Sequence, residues 1–146
     1  MEFLLQQKVK LFGFHEANHC DFIQFFEQAI ASKPFKIPAT GRRFVSRYIQ
    51  ILDLNYHRCE FTHLEAAGLL SISHRQLHRK LSTNIGMNFS LSLKKYRLRK
   101  AALFCYSELQ VTQIVDRVGF SSCSYFVKCF KQEFGVTPKQ YQLELN

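Results

Sequence analysis

Arg75, His78 and Arg79 fall within about one helical turn of each other, and Cys123, Ser124, Tyr125 and Lys128 make a second such group 48 residues on. The first group is rich in hydrogen-bond donors. A guanidinium is a rigid fork that gives two parallel hydrogen bonds to guanine or to a phosphate, worth about 1–3 kcal/mol of discrimination when the acceptors are a base edge. Arg75 and Arg79 are therefore candidates for base contact, with phosphate contact or plain surface charge as the alternatives. His78 can donate to a base or phosphate, or be solvated. The second group is chemically weaker for base reading and is expected to make mostly backbone contacts, with a partly core position as the alternative for Tyr125.

The charge distribution fits a polyanionic partner. Residues 1–41 hold four basic and four acidic residues, whereas residues 42–146 hold sixteen basic and seven acidic ones, so the whole net charge of +9 lies there. No carboxylate occurs between Glu65 and Glu108, a stretch containing Arg75, Arg79, Lys80, Lys94, Lys95, Arg97, Arg99 and Lys100. Such a field attracts polyanions by steering and counterion release. Charge alone does not separate this from a solvated basic face. On that ground Lys94, Lys95, Arg99 and Lys100 are either phosphate contacts or surface.

Other chemistry is poorly supported. His74 and His78 share one helix face, and His57-x-Cys59-x-x-x-His63 is a loose cluster, but neither offers four ligands at zinc spacing, so no metal or cofactor is expected. No nucleophilic triad, phosphate loop or paired-carboxylate arrangement is visible, so the chain is not expected to be an enzyme. The five cysteines are odd in number and form no C-x-x-C pair, which argues for a reducing cytosol. No apolar run approaches the roughly 20 residues of a membrane span, and no signal peptide is seen.

The elements that must position these groups read as helices throughout. Lys33 to Gly41, with Pro34, Pro38 and Gly41, reads as a linker, and Asp21 to Ala31 before it as an amphipathic helix with Phe22, Phe26 and Ile30 near one stripe. Residues 1–41 form a segment of undetermined role; the stripe can support a homodimer, antagonise a larger regulator as an interaction module, or cover its own domain. Beyond it, helices are expected over 43–57, 62–70, 74–84, 89–106, 111–118, 122–133 and 138–144. Capping boxes are expected at Thr62 with Glu65, Ser73 with Gln76 and Thr137 with Gln140, where amides of Thr62 and Thr137 can also face phosphate.

Two units repeat. Thr62 to Ile85 and Val111 to Phe134 each read as a short helix, a tight turn and a longer helix, with Ala67 and Val115 at the crossing, and apolar anchors Leu77 and Leu81 in one and Phe126 and Phe130 in the other. This is the helix-turn-helix arrangement, whose second helix enters the major groove. Between them, 89–106 is apolar on opposite sides: Leu91, Leu98, Ala102 and Cys105 on one, Phe89, Leu93, Tyr96, Leu103 and Phe104 on the other. A helix of that kind must be covered twice, as a spacer rod is. Its length of about 27 Å is compatible with recognition helices roughly 34 Å apart, one turn of B-form DNA.

The runs Ile72-Ser73-x-x-x-Leu77-x-Arg79-Lys80-Leu81, Arg97-Leu98-x-x-Ala101, Val118-Gly119-Phe120-x-x-x-Ser124-Tyr125-Phe126 and Phe130-Lys131-x-x-Phe134-Gly135-Val136-Thr137-Pro138-x-x-Tyr141 strongly resemble the AraC/XylS family of bacterial transcription regulators. The resemblance covers about residues 42–143. It implies an all-α fold of about seven helices, with two helix-turn-helix subdomains joined by a central linker helix and preceded here by a short helical segment. It also implies promoter DNA as partner and activation by contact with RNA polymerase. The chain departs from the family pattern at Ser71, where glycine is usual, at Val115, where alanine is usual, and at Ala66, where leucine is usual. Ser71 is expected to strain the first turn, and Val115 to push the second helix pair apart.

Overall fold

The computed structural model describes residues 39–145. The helix expected over 21–31, its Phe22, Phe26 and Ile30 stripe, and most of the linker lie outside them. A single 3-10 turn, Ala39–Gly41, leads into seven helices: α1 (Arg42–Asn55), α2 (His63–Leu69), α3 (His74–Ile85), α4 (Phe89–Phe104), α5 (Val111–Arg117), α6 (Cys123–Phe134) and α7 (Pro138–Leu145). Among the described residues there is no strand, and no helix is long and apolar enough to cross a membrane. The seven helices expected from residue 43 onward are present, with ends shifted by a residue or two.

These helices fall into two compact units. Of the described residues, the first holds those up to Ile51 together with Ala66–Asn88; the second holds Leu52–Glu65 and those from Phe89 to Leu145. In the first unit, Leu77, Leu81 and Ile85 of α3 recur at the spacing of one helix face and are buried, together with Val45, Tyr48 and Ile49 of α1 and Ala66 and Ala67 of α2. The helix begins with the full capping box expected: the Gln76 N–H donates to Ser73 Oγ (3.1 Å), and the Ser73 N–H donates to Gln76 Oε1 (2.9 Å).

In the second unit the same positions carry rings. Phe126, Phe130 and Phe134 of α6 are buried at i, i+4 and i+8. Their rings run on in contact, Phe126 to Phe130 at 5.7 Å and Phe130 to Phe134 at 4.5 Å, with Tyr141 of α7 closing on Phe130 at 5.5 Å. Burying each such ring contributes about 1.5–3 kcal/mol. Pro138 starts α7 behind a second full box between Thr137 and Gln140. Helix α4 belongs to this unit and buries residues on both of its apolar faces, Leu98 and Ala102 on one and Leu93 and Tyr96 on the other, with Cys105 buried just past its end.

The third expected box is only half formed. The Glu65 N–H donates to Thr62 Oγ1 (3.3 Å), but the Glu65 carboxylate accepts from Arg58 (3.0 Å) instead of reaching back. An arginine partner is a stronger draw for a carboxylate than a neutral amide. A start the residue pattern did not signal stands at Gln110, whose N–H donates to Gln113 Oε1 (2.9 Å).

The two turns share one hydrogen-bond pattern. The Ile72 N–H donates to the Ala67 carbonyl (3.1 Å), and the Phe120 N–H to the Val115 carbonyl (3.3 Å). Each is the six-residue closure that ends a helix through one left-handed residue. That residue is Gly119 (φ 76°) in the second turn and Ser71 (φ 56°) in the first; among the described residues Ser71 is the one non-glycine with a positive φ. The strain expected at Ser71 is thus present, because a Cβ in this region crowds the carbonyl that follows. The second turn is also longer by one residue: α3 is capped by Ser73, two residues after Ser71, and α6 by Ser122, three after Gly119.

Inside the second unit one polar cluster ties the end of α1 to α4. The buried Tyr96 hydroxyl donates to Asp53 (2.6 Å), and Lys100 approaches the same carboxylate at 2.9 Å. Burial, the largest single influence on Asp53, raises its pKa, but Tyr96 and Lys100 together outweigh it and hold the carboxyl below its ordinary value.

Replacing Ser71 by glycine is expected to raise unfolding stability by up to about 1 kcal/mol, measured by urea titration. Asp53→Ala removes the acceptor of a buried hydroxyl and is expected to cost about 1–3 kcal/mol at neutral pH. Because the folded pKa is depressed, this contribution is complete above the unfolded value of 3.8 and fades as the pH falls through the folded one. The stability difference between Asp53→Ala and the parent, read from urea curves, should therefore stay constant from neutral pH down to the neighbourhood of 3.8 and narrow only below it.

Candidate nucleic-acid interface

What α3 leaves outside is set by what it buries. With Leu77, Leu81, Asn84 and Ile85 inward, the opposite face at about 100° per residue carries Arg75, Arg79, Ser82 and Thr83, all exposed. Arg75, Arg79 and Ser82 form an i, i+4, i+7 stripe. His78 is exposed too, but stands about 100° round the helix from Arg79, nearer the core edge. Gln76 shares the outer half, with its side-chain oxygen committed to the cap.

The second unit repeats this with an offset of one residue from the longer turn. Phe126, Phe130 and Phe134 occupy the positions of Leu77, Leu81 and Ile85, so Ser124 and Lys128 occupy those of Arg75 and Arg79. Cys123, Ser124, Tyr125 and Lys128 are all exposed. Tyr125 is 52% exposed, with one ring edge against Phe120 (6.1 Å), rather than partly in the core. Ser122, not a residue of the expected set, caps the helix by accepting from the Tyr125 N–H (3.2 Å).

Residue patterns alone missed part of this face. Lys131 and Gln132 are exposed on α6 and continue the Ser124–Lys128 stripe, as Ser82 and Thr83 continue the one on α3. The signal was available: Lys131 follows Lys128 at i+3 and lies opposite the phenylalanines.

The cations of α4 behave differently from the surface set they suggested. Lys95 and Arg99 both bind Glu133, at 2.9 and 3.2 Å, and Lys100 binds Asp53. Arg97 donates to the carbonyls of Tyr56 (2.8 Å) and Arg58 (2.6 Å), holding the chain that leaves α1. These four guanidinium and ammonium groups are tied down inside the second unit. Gly119 fits into the same place: a Cβ there would collide with the Tyr56 carbonyl oxygen. Among the described residues no three His, Cys, Asp or Glu side chains converge as metal ligands.

Each unit thus offers one capped helix, fixed by a buried apolar stripe and presenting an exposed polar, cationic stripe on its other side. Known proteins share both the sequence and the fold. A helix-turn-helix domain model matches residues 66–144. The HTH-type transcriptional activator CsvR of Escherichia coli is 37% identical over 76 residues, covering 51% of this chain and 28% of that protein. The DNA-binding dual transcriptional regulator Rns of Escherichia coli is 41% identical over 64 residues, covering 43% of this chain and 24% of its own length. The match therefore spans only about a quarter of these relatives. Among solved structures, the C-terminal domain of the two-component response regulator yesN from Fusobacterium nucleatum superposes with a TM-score of 0.63 at 30% identity, covering 68% of this chain and 98% of that domain. On this sequence and fold similarity, the chain belongs to the AraC/XylS family of helix-turn-helix proteins.

Proposed function

We propose that this chain is a sequence-specific transcription regulator that binds double-stranded DNA in the bacterial cytoplasm, reading two successive major grooves with α3 and α6. The observation that carries this reading is the doubled helix-turn-helix, each copy with its second helix exposed along a polar stripe: Arg75, Arg79 and Ser82 in one, Ser124, Lys128 and Lys131 in the other. A helix of this kind places its amino-terminal residues against base edges while flanking groups touch phosphate. Arg75 and Arg79 are assigned to base contact, with His78 at the edge of the site. Cys123, Ser124, Tyr125 and Lys128 are assigned mainly to the DNA backbone, since they lack a second bidentate fork.

Regulation further requires contact with the transcription machinery. The relatives named above are an activator and a dual regulator, which supports activation through RNA polymerase as the principal mode. Residues 1–41 are assigned a pairing role through Phe22, Phe26 and Ile30, making the active species a homodimer. Light scattering of the chain with and without that segment tests this; equal masses would refute it.

Selection of bound duplexes from a random library is expected to return a bipartite site with half-sites about 10–10.5 base pairs apart, and five extra base pairs between them should abolish tight binding. Recovery of no preferred sequence at about 0.1 M salt would refute the proposal. Arg79→Ala is expected to cost about 1–3 kcal/mol on the preferred site and to relax selectivity at one base pair. A loss equal on all sequences would move Arg79 from base to phosphate.

A further inference from the structure

The basic residues of α4 do not share one fate. Four of them are held by Glu133, Asp53 and two backbone carbonyls. Lys94 differs: it has no ion pair or hydrogen bond among the described residues. It lines a half-open cavity of about 280 Å³, within the second unit, beside Phe89, Phe120, Ser90, Ser121 and Tyr125. The cavity is open to solvent and, at about 280 Å³, falls just below the range of about 300–1,000 Å³ that drug-sized ligands occupy. Its lining combines aromatic rings and Leu93 with the Lys94 ammonium, the hydroxyls of Ser90 and Ser121 and the Cys59 thiol; Arg97 lines it too, but with its guanidinium bound to the Tyr56 and Arg58 carbonyls.

That mixture matches one repeating unit of a nucleic-acid backbone, a sugar with an apolar C–H face joined to a single negative charge. The position agrees, because Ser121 and Tyr125 stand at the amino end of α6, the helix proposed to enter the groove. We propose that this cavity receives one sugar-phosphate unit of bound DNA. Lys94 neutralises the phosphate, Ser90 and Ser121 donate hydrogen bonds to its oxygens, and the half-buried ring of Phe89 covers the deoxyribose. The inference rests on the DNA-reading function proposed above and adds to it the group that sets how α6 is seated. A contact of this kind carries no sequence information; it fixes register and makes binding salt-dependent. The neighbouring Lys95 and Lys100, although as basic, contribute no such contact because their charge is already answered.

The full chain is titrated against its selected duplex and a scrambled duplex between about 50 and 200 mM salt. For Lys94→Gln the slope of log K against log salt is expected to fall by about 0.9, with about eightfold weaker binding near 0.1 M salt, equally on both duplexes. Lys94→Arg should restore the slope, and Lys95→Gln and Lys100→Gln should leave it unchanged while lowering Tm. An unchanged slope for Lys94→Gln, a loss confined to one duplex, or an equal fall in slope for Lys95→Gln each overturns the proposal. A parent chain that binds neither duplex at any salt brings down the DNA reading itself, and this inference with it.

Discussion

In each unit the second helix of the motif is aimed by a single left-handed residue that closes the helix before it. At Ser71 and at Gly119 the backbone reverses so that the next amide returns to a carbonyl five residues back. That closure ends the short helix, fixes where the chain emerges and so fixes where the next helix can be capped. The apolar stripe then settles the remaining freedom, rotation about the helix axis. Once Leu77, Leu81 and Ile85, or the three phenylalanines of α6, are inside, the opposite stripe has only one direction to face. A polar residue on the outer stripe is exposed as a consequence of geometry and needs no stabilisation of its own, which leaves those positions open to be chosen for what they bind.

The charge of the second unit separates into two populations. One is structural. Glu133 gathers Lys95 and Arg99, Asp53 gathers Lys100 and Tyr96, and Arg97 satisfies carbonyls where α1 ends. Partly buried pairs of this sort are weakly screened by salt, and breaking one leaves its partner's charge uncompensated. The other population is exposed, as Lys128 and Lys131 are, or half-buried at the wall of a solvent-open cavity, as Lys94 is. Net charge alone counts both equally, and so overstates the cations available to a polyanion.

Much of the fold was legible in the residue order because its determinants are local. Helix limits follow from caps and apolar period, and two of the three capping boxes were visible as Ser73-x-x-Gln76 and Thr137-x-x-Gln140. The third was misread because Glu65 has a competitor, Arg58, placed by a loop whose course no pattern reveals. The same reason hid the α4 cluster: Tyr96 meets Asp53 across 43 residues and Lys95 meets Glu133 across 38. The strain at Ser71 was legible through the family pattern, not through the residue itself. Lys131 lies beyond the amino-terminal turns of α6 where groove-facing residues concentrate, although its spacing from Lys128 already puts it on the same stripe. For Tyr125 the residue pattern left two places open, the exposed face or the edge of the core; its position opposite the buried phenylalanines puts it on the exposed face.

The extra residue in the second turn bears on how these motifs can be recombined. Counted from the turn, corresponding positions of α3 and α6 fall out of step; counted from the capping serine, they agree throughout. Each stretch from serine to terminal glycine, Ser73–Gly86 and Ser122–Gly135, is a self-delimiting cassette with its own start, stop and greasy side. Specificity could be grafted between proteins of this architecture by moving that cassette whole, whereas grafts that include the turn would rotate the reading face off target.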